Sequence, residues 1–400
     1  MRSSNFFILF ISFLCALIIG EIIVRQVGFY DIDNNFHIGT RILPPINIPL
    51  KQSIENYEKL KTDSNPFIVF DSICGWLPNN TFESKNGWYF HDSAGIRSDN
   101  KEYLKTKPDT VLRVLLFGDS HIYGSENPFH NTLGYYIEQL LFNKNITAEV
   151  INMGVGAFGM DQAFLRWKYY GKHYRPDIVV FGFQPENVMR NVNLLRALYI
   201  REGRAVMKPR YILDHDSLRI ITFPVPTPEE SLVQMKDFAN WKFAEYETFY
   251  DANKQWWHNS KLLSLVIDII RINRFDLRSY KQPFYELSKE PALITLKLMS
   301  AFRNDVVSNE AQFFIVHLPM KDDLIDLING KKVVYETLLS EIGKQCEIIR
   351  PERNLINYCD TGNINNLFRP KLHYSGNAHK ITASAIIDEI IKKQQGASKN

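Results

Sequence analysis

Cysteine is scarce in this chain, and what there is has no zinc-ligand spacing. Only four of the 400 residues are Cys, at positions 15, 74, 346 and 359. That excludes a disulfide-stapled scaffold and a structural zinc module. Cys15 lies in an apolar run. Cys346 and Cys359 would close a modest loop in an oxidising compartment, and two separate buried thiols are an equal reading. Excess charge of one sign is also missing, because 47 Lys and Arg stand against 44 Asp and Glu for a net charge of +3. With no basic tract and no nucleic-acid motif, nucleic acid is excluded as an expected partner. Internal repeats and low-complexity segments are absent as well, which excludes a solenoid or a disordered array.

What is present supports a sizeable core: 45% of residues are hydrophobic and 13% aromatic. The length suits one large domain with additions, or two domains. One long apolar run opens the chain. FFILFISFLCALIIG, residues 6–20, is broken only by Ser12. Extended to Val24 it forms a helix about 28 Å long, against a hydrocarbon layer of about 30 Å. No A-x-A-like site comes after it and no lipobox precedes Cys15, so it reads as a signal-anchor over 1–25 rather than a cleaved signal peptide. Arg2 and Arg25 flank the run almost symmetrically and hardly orient it. Export of the body, to a periplasmic or extracellular position, is inferred from the N-terminal placement of the anchor.

Residues 26–110 read as an irregular leader packed on the main domain, with turn signals between short aromatic runs. From 111 an α/β rhythm starts. Strands are expected at 111–117 (VLRVLLF), 148–152 (AEVIN) and 177–183 (DIVVFGF), with helices at 132–143 and 160–174 between them. The rhythm breaks at about 195–305, an insertion. Within it, 208–226 reads as a hairpin turning at Asp214–Ser217, and the aromatic-rich 237–259 as helical. It resumes with a helix near 293–307, a strand at 311–319, a helix near 329–345, a short strand at 347–349 and a final helix over about 378–393. Strands alternating with helices imply a parallel sheet with right-handed crossovers. The expected fold is therefore a three-layer α/β/α domain over 111–395.

A nucleophilic serine needs a base, oxyanion donors and a place at the open edge of such a sheet. The loops after the strands supply candidates for each role. Gly118-Asp119-Ser120-His121 comes after the first strand, and Asn152 opens a glycine-rich loop (NMGVGAFGMDQ) after the second. Gln184-Pro185-Glu186-Asn187 comes after the third, and Lys371-Leu372-His373-Tyr374 precedes the last helix. Blander readings stand beside these. Ser120 also reads as a turn or cap residue, Asp119 as a structural acceptor, His121 as a rim residue and Asn187 as a helix N-cap. His379 is a rival base to His373, set inside the final helix. His317 reads as a satisfied core histidine. The aromatics of 238–257 suit core packing more than stacking on sugars.

These four loops, in this order, resemble the blocks of the SGNH (GDSL-type) hydrolase superfamily, in the form found in membrane-anchored bacterial members. The resemblance covers about 111–195 and 311–393. It implies a flavodoxin-like fold, Ser120 as nucleophile and His373 as base. Oxyanion donors would be the N–H groups of Ser120 and Ala157, with Gly156 one place off, and the Asn187 amide. The family places an acid two or three residues before its histidine, where this chain has Lys371 and Pro370. A backbone carbonyl or a distant carboxylate must then hold the Nδ1 proton.

The resemblance further implies a serine esterase acting through an acyl-serine on O-acyl, chiefly O-acetyl, groups of a cell-surface carbohydrate, with no metal or organic cofactor. Two alternatives stay open. One is an O-acetyltransferase in exopolysaccharide or lipopolysaccharide modification, with partner proteins of that process. The other is a non-catalytic glycan-binding or assembly module, suggested by Lys371 in place of the acid.

Overall fold

Near-continuous runs of branched and aromatic residues make strands buried on both faces, and these runs set the frame. The computed structural model describes residues 2–39, 41–200, 206–250, 255–274, 282–361 and 363–397. The chain divides into two compact units. The larger comprises Asp63–Leu194, Met207–Thr227 and Phe284–Asn400. Its sheet has seven strands, in chain order β1 (Phe90–His91), β2 (Arg97–Ser98), β3 (Leu112–Phe117), β4 (Ala148–Asn152), β5 (Ile178–Phe183), β6 (Gln312–His317) and β7 (Glu347–Ile349). Their spatial order is β7-β6-β5-β3-β4-β2-β1. The strands from β3 to β7 pair in parallel. At one edge β2 pairs antiparallel with β4 and with β1.

The helices that matter to the site are α1 (Ser120–Tyr123), α2 (Leu133–Phe142), α3 (Met160–Tyr169), α4 (Asn187–Arg190), α5 (Glu290–Ser308) and α6 (Gly376–Ala397). Alternation along the strands divides the core between the two faces. Val114, Leu116, Val150 and Val180 cluster with Ile137 and Leu141 of α2 and with Ile386 and Ile390 of α6. On the other face Phe117 lies 6.0 Å from Trp167 of α3, and Phe302 of α5 lies 5.7 Å from Phe117 and 5.9 Å from Phe181, measured between ring centroids. Each such side chain, fully buried, contributes about 1.5–3 kcal/mol. This is the expected three-layer α/β/α, flavodoxin-like fold. Winding reverses between β3 and β5, and ligands of such sheets bind at that reversal, beyond the strands' carboxyl ends.

The five expected strands form within two residues of their predicted ends. The hairpin also forms, with Arg210–Asp214 paired to Ser217–Ile221 and Asp214 opposite Ser217. Of the leader, 63–110 lies with the sheet and contributes β1 and β2 to it. Two expectations need correction. The helix expected near 329–345 is confined to Glu336–Gly343, and a separate helix, Lys321–Ile328, precedes it. Between them Gly330 takes φ of +72°, a left-handed stop that apolar spacing alone does not reveal. The aromatic stretch 237–259 is not a continuous helix. Its described part forms short 3₁₀ turns at Phe238–Asn240, Ala244–Tyr246 and Trp256–Asn259, and 251–254 lie outside the described residues. Cys346 and Cys359 are separate thiols, near the carbonyls of Met299 and Leu355 respectively.

The smaller unit comprises Met1–Thr62, Leu195–Val206 and Pro228–Pro283. Its N-terminal helix, Arg2–Val27, contains a stretch from Asn5 to Val27 long and apolar enough to cross a membrane. Three short antiparallel strands come next. Val24, Phe36 and Leu43 form a small core with Leu262 and Leu265 of the helix Lys261–Arg274.

Two glycines let the turn after β3 sit low on the sheet. A Cβ at Gly182 of β5 would come within 2.4 Å of Ile122 Cγ1 and 2.5 Å of Ile122 Cδ1, and one at Gly118 within 2.6 Å of Ile122 Cγ1. Gly182→Ala is expected to lower stability by about 1–3 kcal/mol through overpacking and to push α1 outward. A denaturant midpoint equal to that of the unaltered chain would contradict this.

Candidate active site

The chain leaves β3 through Gly118, whose φ of +153° few residues adopt. Asp119 then caps α1, accepting from the His121 backbone N–H at 2.9 Å. Ser120 is therefore the first residue of a short helix at the sheet's open edge, half-buried. Its backbone N–H is one of the helix's orphan donors.

His373 reaches Ser120 from the loop before α6, with Nε2 3.0 Å from Ser120 Oγ. On its other side, Nδ1 lies 2.8 Å from Glu126 Oε2. A carboxylate, absent before the histidine, is thus supplied to its Nδ1 from the loop just after the helix that Ser120 opens. Sequence reasoning missed Glu126. The one sign of it was negative: with Lys371 beside the base, any carboxylate had to come from elsewhere. The Lys371 backbone N–H even donates to the Glu126 carboxylate, at 3.2 and 3.3 Å.

Glu126 stands at φ of +63°, a left-handed conformation that β-carbon-bearing residues seldom take. The surrounding loop is pinned to hold it. Arg97, buried in β2, donates to the carbonyls of Tyr123, Gly124 and Asn127 at 2.5–2.7 Å. The guanidinium lies 4.7 Å from the ring centroids of both Tyr89 and Tyr123. Asn127 Nδ2 donates to the Tyr374 carbonyl at 2.8 Å, which ties the acid's loop to the base's loop. The Glu126 backbone N–H donates to Tyr89 Oη at 2.8 Å.

The expected oxyanion donors come from two further strand ends. Trp76 Nε1 donates to the Gly156 carbonyl at 3.0 Å. In a trans peptide the carbonyl and the following N–H point opposite ways, so the Ala157 N–H faces away from Trp76. Among the described residues it makes no hydrogen bond. Ala157 takes φ of +70°, so the alanine does adopt the glycine-like backbone its place requires. This favours Ala157 over Gly156 as the donor. Asn187 opens α4 and is 1% exposed. Its Oδ1 accepts from Arg190 Nη1 at 2.8 Å, which fixes the amide and leaves its NH₂ as the donor end.

The same Arg190 Nη1 donates to Asp119 Oδ2 at 2.8 Å and to the Phe158 carbonyl at 3.0 Å. Burial works against the charged form of Asp119, but Arg190, the His121 backbone N–H and the nearby His121 and His373 together outweigh it, so this carboxyl stays below its usual range. Asp119 is structural, in keeping with its position in the turn.

His121 corrects the sequence reading. It is not at the rim but 5% exposed, its ring 5.3 Å from that of His373. Burial pushes it down to about 4, against the pull of Asp119, so it is a neutral wall behind the base. His379 has no contact with Ser120. It lies buried in α6 against Tyr374, and burial pushes it down to about 3. His317 is the satisfied core residue expected, with Nδ1 2.6 Å from Glu352 and Nε2 3.0 Å from Tyr335.

No family model matches the chain, and no curated protein matches its sequence. Several solved structures are similar to the chain at low identity. An acetyl xylan esterase, AlAXEase, is 13% identical, with TM-score 0.38 over 70% of this chain and all of that one. A catalytic mutant of the acetylxylan esterase Axe2 from Geobacillus stearothermophilus is 12% identical, with TM-score 0.37 over 72% of this chain and 96% of that one. The lipase/acylhydrolase from Enterococcus faecalis is 11% identical, with TM-score 0.37 over 70% and 96%. In the structure itself, the Ser120, Asn152–Gln162, Asn187 and His373 segments stand at the open edge of one parallel sheet.

Two outcomes are expected. Glu126→Gln keeps the loop's shape but loses the charge beside the imidazole, so turnover should fall by about a hundredfold or more. Unchanged kcat would remove Glu126 from the relay. His379 bears on stability instead. A histidine near 6.5 when unfolded and near 3 when folded contributes full stability above pH 6.5 and loses it as pH falls. Between pH 7 and 5 it accounts for a loss of about 2 kcal/mol. His379→Leu should flatten urea-derived stability over that interval by this amount, and an unchanged slope would refute the assignment.

Proposed function

We propose that this chain is a membrane-anchored, exported serine esterase of SGNH type that removes O-acyl groups, chiefly O-acetyl, from a cell-surface carbohydrate. The observation that carries the reading is the continuous relay from Ser120 through His373 to Glu126, at 3.0 and 2.8 Å. Its setting at the sheet's winding reversal and the resemblance of the four loops support it. The apolar N-terminal helix supports the anchor.

In this mechanism His373 Nε2 takes the proton from Ser120 Oγ as the oxygen attacks the acyl carbonyl. Glu126 holds the Nδ1 proton and stabilises the imidazolium that forms. Negative charge on the carbonyl oxygen is received by the N–H groups of Ser120 and Ala157 and the Asn187 amide. Each such donor is worth about 10²–10³ in rate. The imidazolium returns its proton to the departing sugar oxygen, and water, activated by the same imidazole, releases the acid from Ser120. A sugar hydroxyl in place of water would make the same intermediate an acetyl donor. The non-catalytic alternative drew on Lys371 standing where an acid was expected; the Glu126 carboxylate at His373 Nδ1 supports the catalytic reading instead.

The full chain in detergent should hydrolyse an activated acetyl ester with a burst of acetyl-Ser120. Ser120→Ala should abolish burst and turnover, and His373→Ala should reduce turnover by about 10³-fold or more. Free acetate as the main product, with an oligosaccharide acceptor present, supports the esterase. Acetyl accumulating on the acceptor would assign a transferase. Full activity in Ser120→Ala would overturn both.

A further inference from the structure

The smaller unit holds a cavity of about 490 Å³ where its N-terminal helix ends. Arg25, Tyr30, Trp256, His258, Asn259 and Lys261 line it. Arg25 is in the last turn of that helix. Its Nε pairs with Glu21 at 2.6 Å and its Nη2 donates to the Asn259 carbonyl at 2.9 Å, which turns the guanidinium toward the cavity wall. Glu21 is fully occupied. It also accepts from Ser260 Oγ and from the backbone N–H groups of Lys261 and Leu262, at 2.8–3.0 Å.

Lys261 is the residue left over. It is 7% exposed, and its ammonium sits 5.8 Å from the Tyr30 ring centroid and 5.4 Å from that of Phe36. Among the described residues no carboxylate is within ion-pair reach of its Nζ. A buried lysine with no carboxylate within ion-pair reach is costly, and burial and Arg25 together hold it below its usual range against the more distant pull of Glu21. An anion in the cavity would relieve that cost. Around the opening Trp256 is 78% exposed and Tyr30 51% exposed, the two residue types enriched at headgroup level.

We propose that this cavity binds the phosphate of an anionic membrane lipid, with Lys261 and Arg25 as the cationic contacts and Trp256 packed along the lipid's glycerol region. The proposal rests on reading the N-terminal helix as a membrane anchor. The shared chemistry is a phosphate, and its source is the lipid because the cavity opens within a turn or two of the end of an apolar span.

The test uses the full chain in a neutral detergent, titrated with short-chain phosphatidylglycerol, short-chain phosphatidylcholine or inorganic phosphate, and read by calorimetry. Phosphatidylglycerol should bind saturably at one site, at least tenfold more tightly than the other two. Lys261→Gln should weaken it at least tenfold and Lys261→Arg by no more than threefold, both with unchanged turnover of a soluble acetyl ester. If Lys261→Gln melts well below the unaltered chain, Trp256→Ala carries the test, with an expected loss of about fivefold. No saturable binding, or equal binding by the variants, overturns the proposal. Inorganic phosphate binding as tightly as the lipid overturns the lipid source. The titration needs no bilayer, so failure of the anchor reading shows separately, as release of the chain from membranes in alkaline carbonate.

Discussion

One guanidinium ties together the loops around Ser120. Arg190 Nη1 touches the residue before Ser120 (Asp119), the residue after Ala157 (Phe158) and the side chain of Asn187. A cation this deeply buried must be satisfied by charge and by hydrogen bonds together. Satisfying it draws the ends of three neighbouring parallel strands to one place. Fold and site are therefore one problem: the sheet order β4-β3-β5 makes the three loops adjacent, and the arginine sets their spacing.

A second arginine does the same for the relay. Arg97 comes from the leader, yet it anchors the carbonyls around Glu126 and stacks between two tyrosines. The leader segment is thus structural support for the loop that holds Glu126. With Asn127 bridging to the Tyr374 carbonyl, the left-handed turn at Glu126 is over-determined by its surroundings, the condition under which such backbone strain persists.

Much of this is legible in the residues because parallel α/β sheets impose a simple rule. Strands buried on both faces read as apolar runs, and the loop after each run faces the open edge. Ser120 and Asn187 are found that way, His373 by its place in the loop before the last helix, and the Asp214–Ser217 turn by its polar break between alternating segments. Glu126 is not, because its role depends on a positive φ and on a carboxylate pointing back across a turn, neither of which has a periodic signature. The burial of His121 is hidden for a related reason. Its neighbour Ser120 faces the cleft, and only the helical start at Ser120 turns the next side chain inward. The division of the leader depends on the pairing of Arg97 with Asn152, a long-range register that local patterning does not carry.

The location of the acid has a consequence for how such chains diverge. In the proposed relay, serine and carboxylate lie six positions apart on one continuous segment, so the C-terminal loop has to contribute an imidazole and nothing more. That loop is then released from the usual Asp-x-x-His or Asp-x-His constraint and tolerates a lysine beside the base. A pattern that demands the carboxylate next to the histidine would pass over proteins wired in this way, although their proton path is intact.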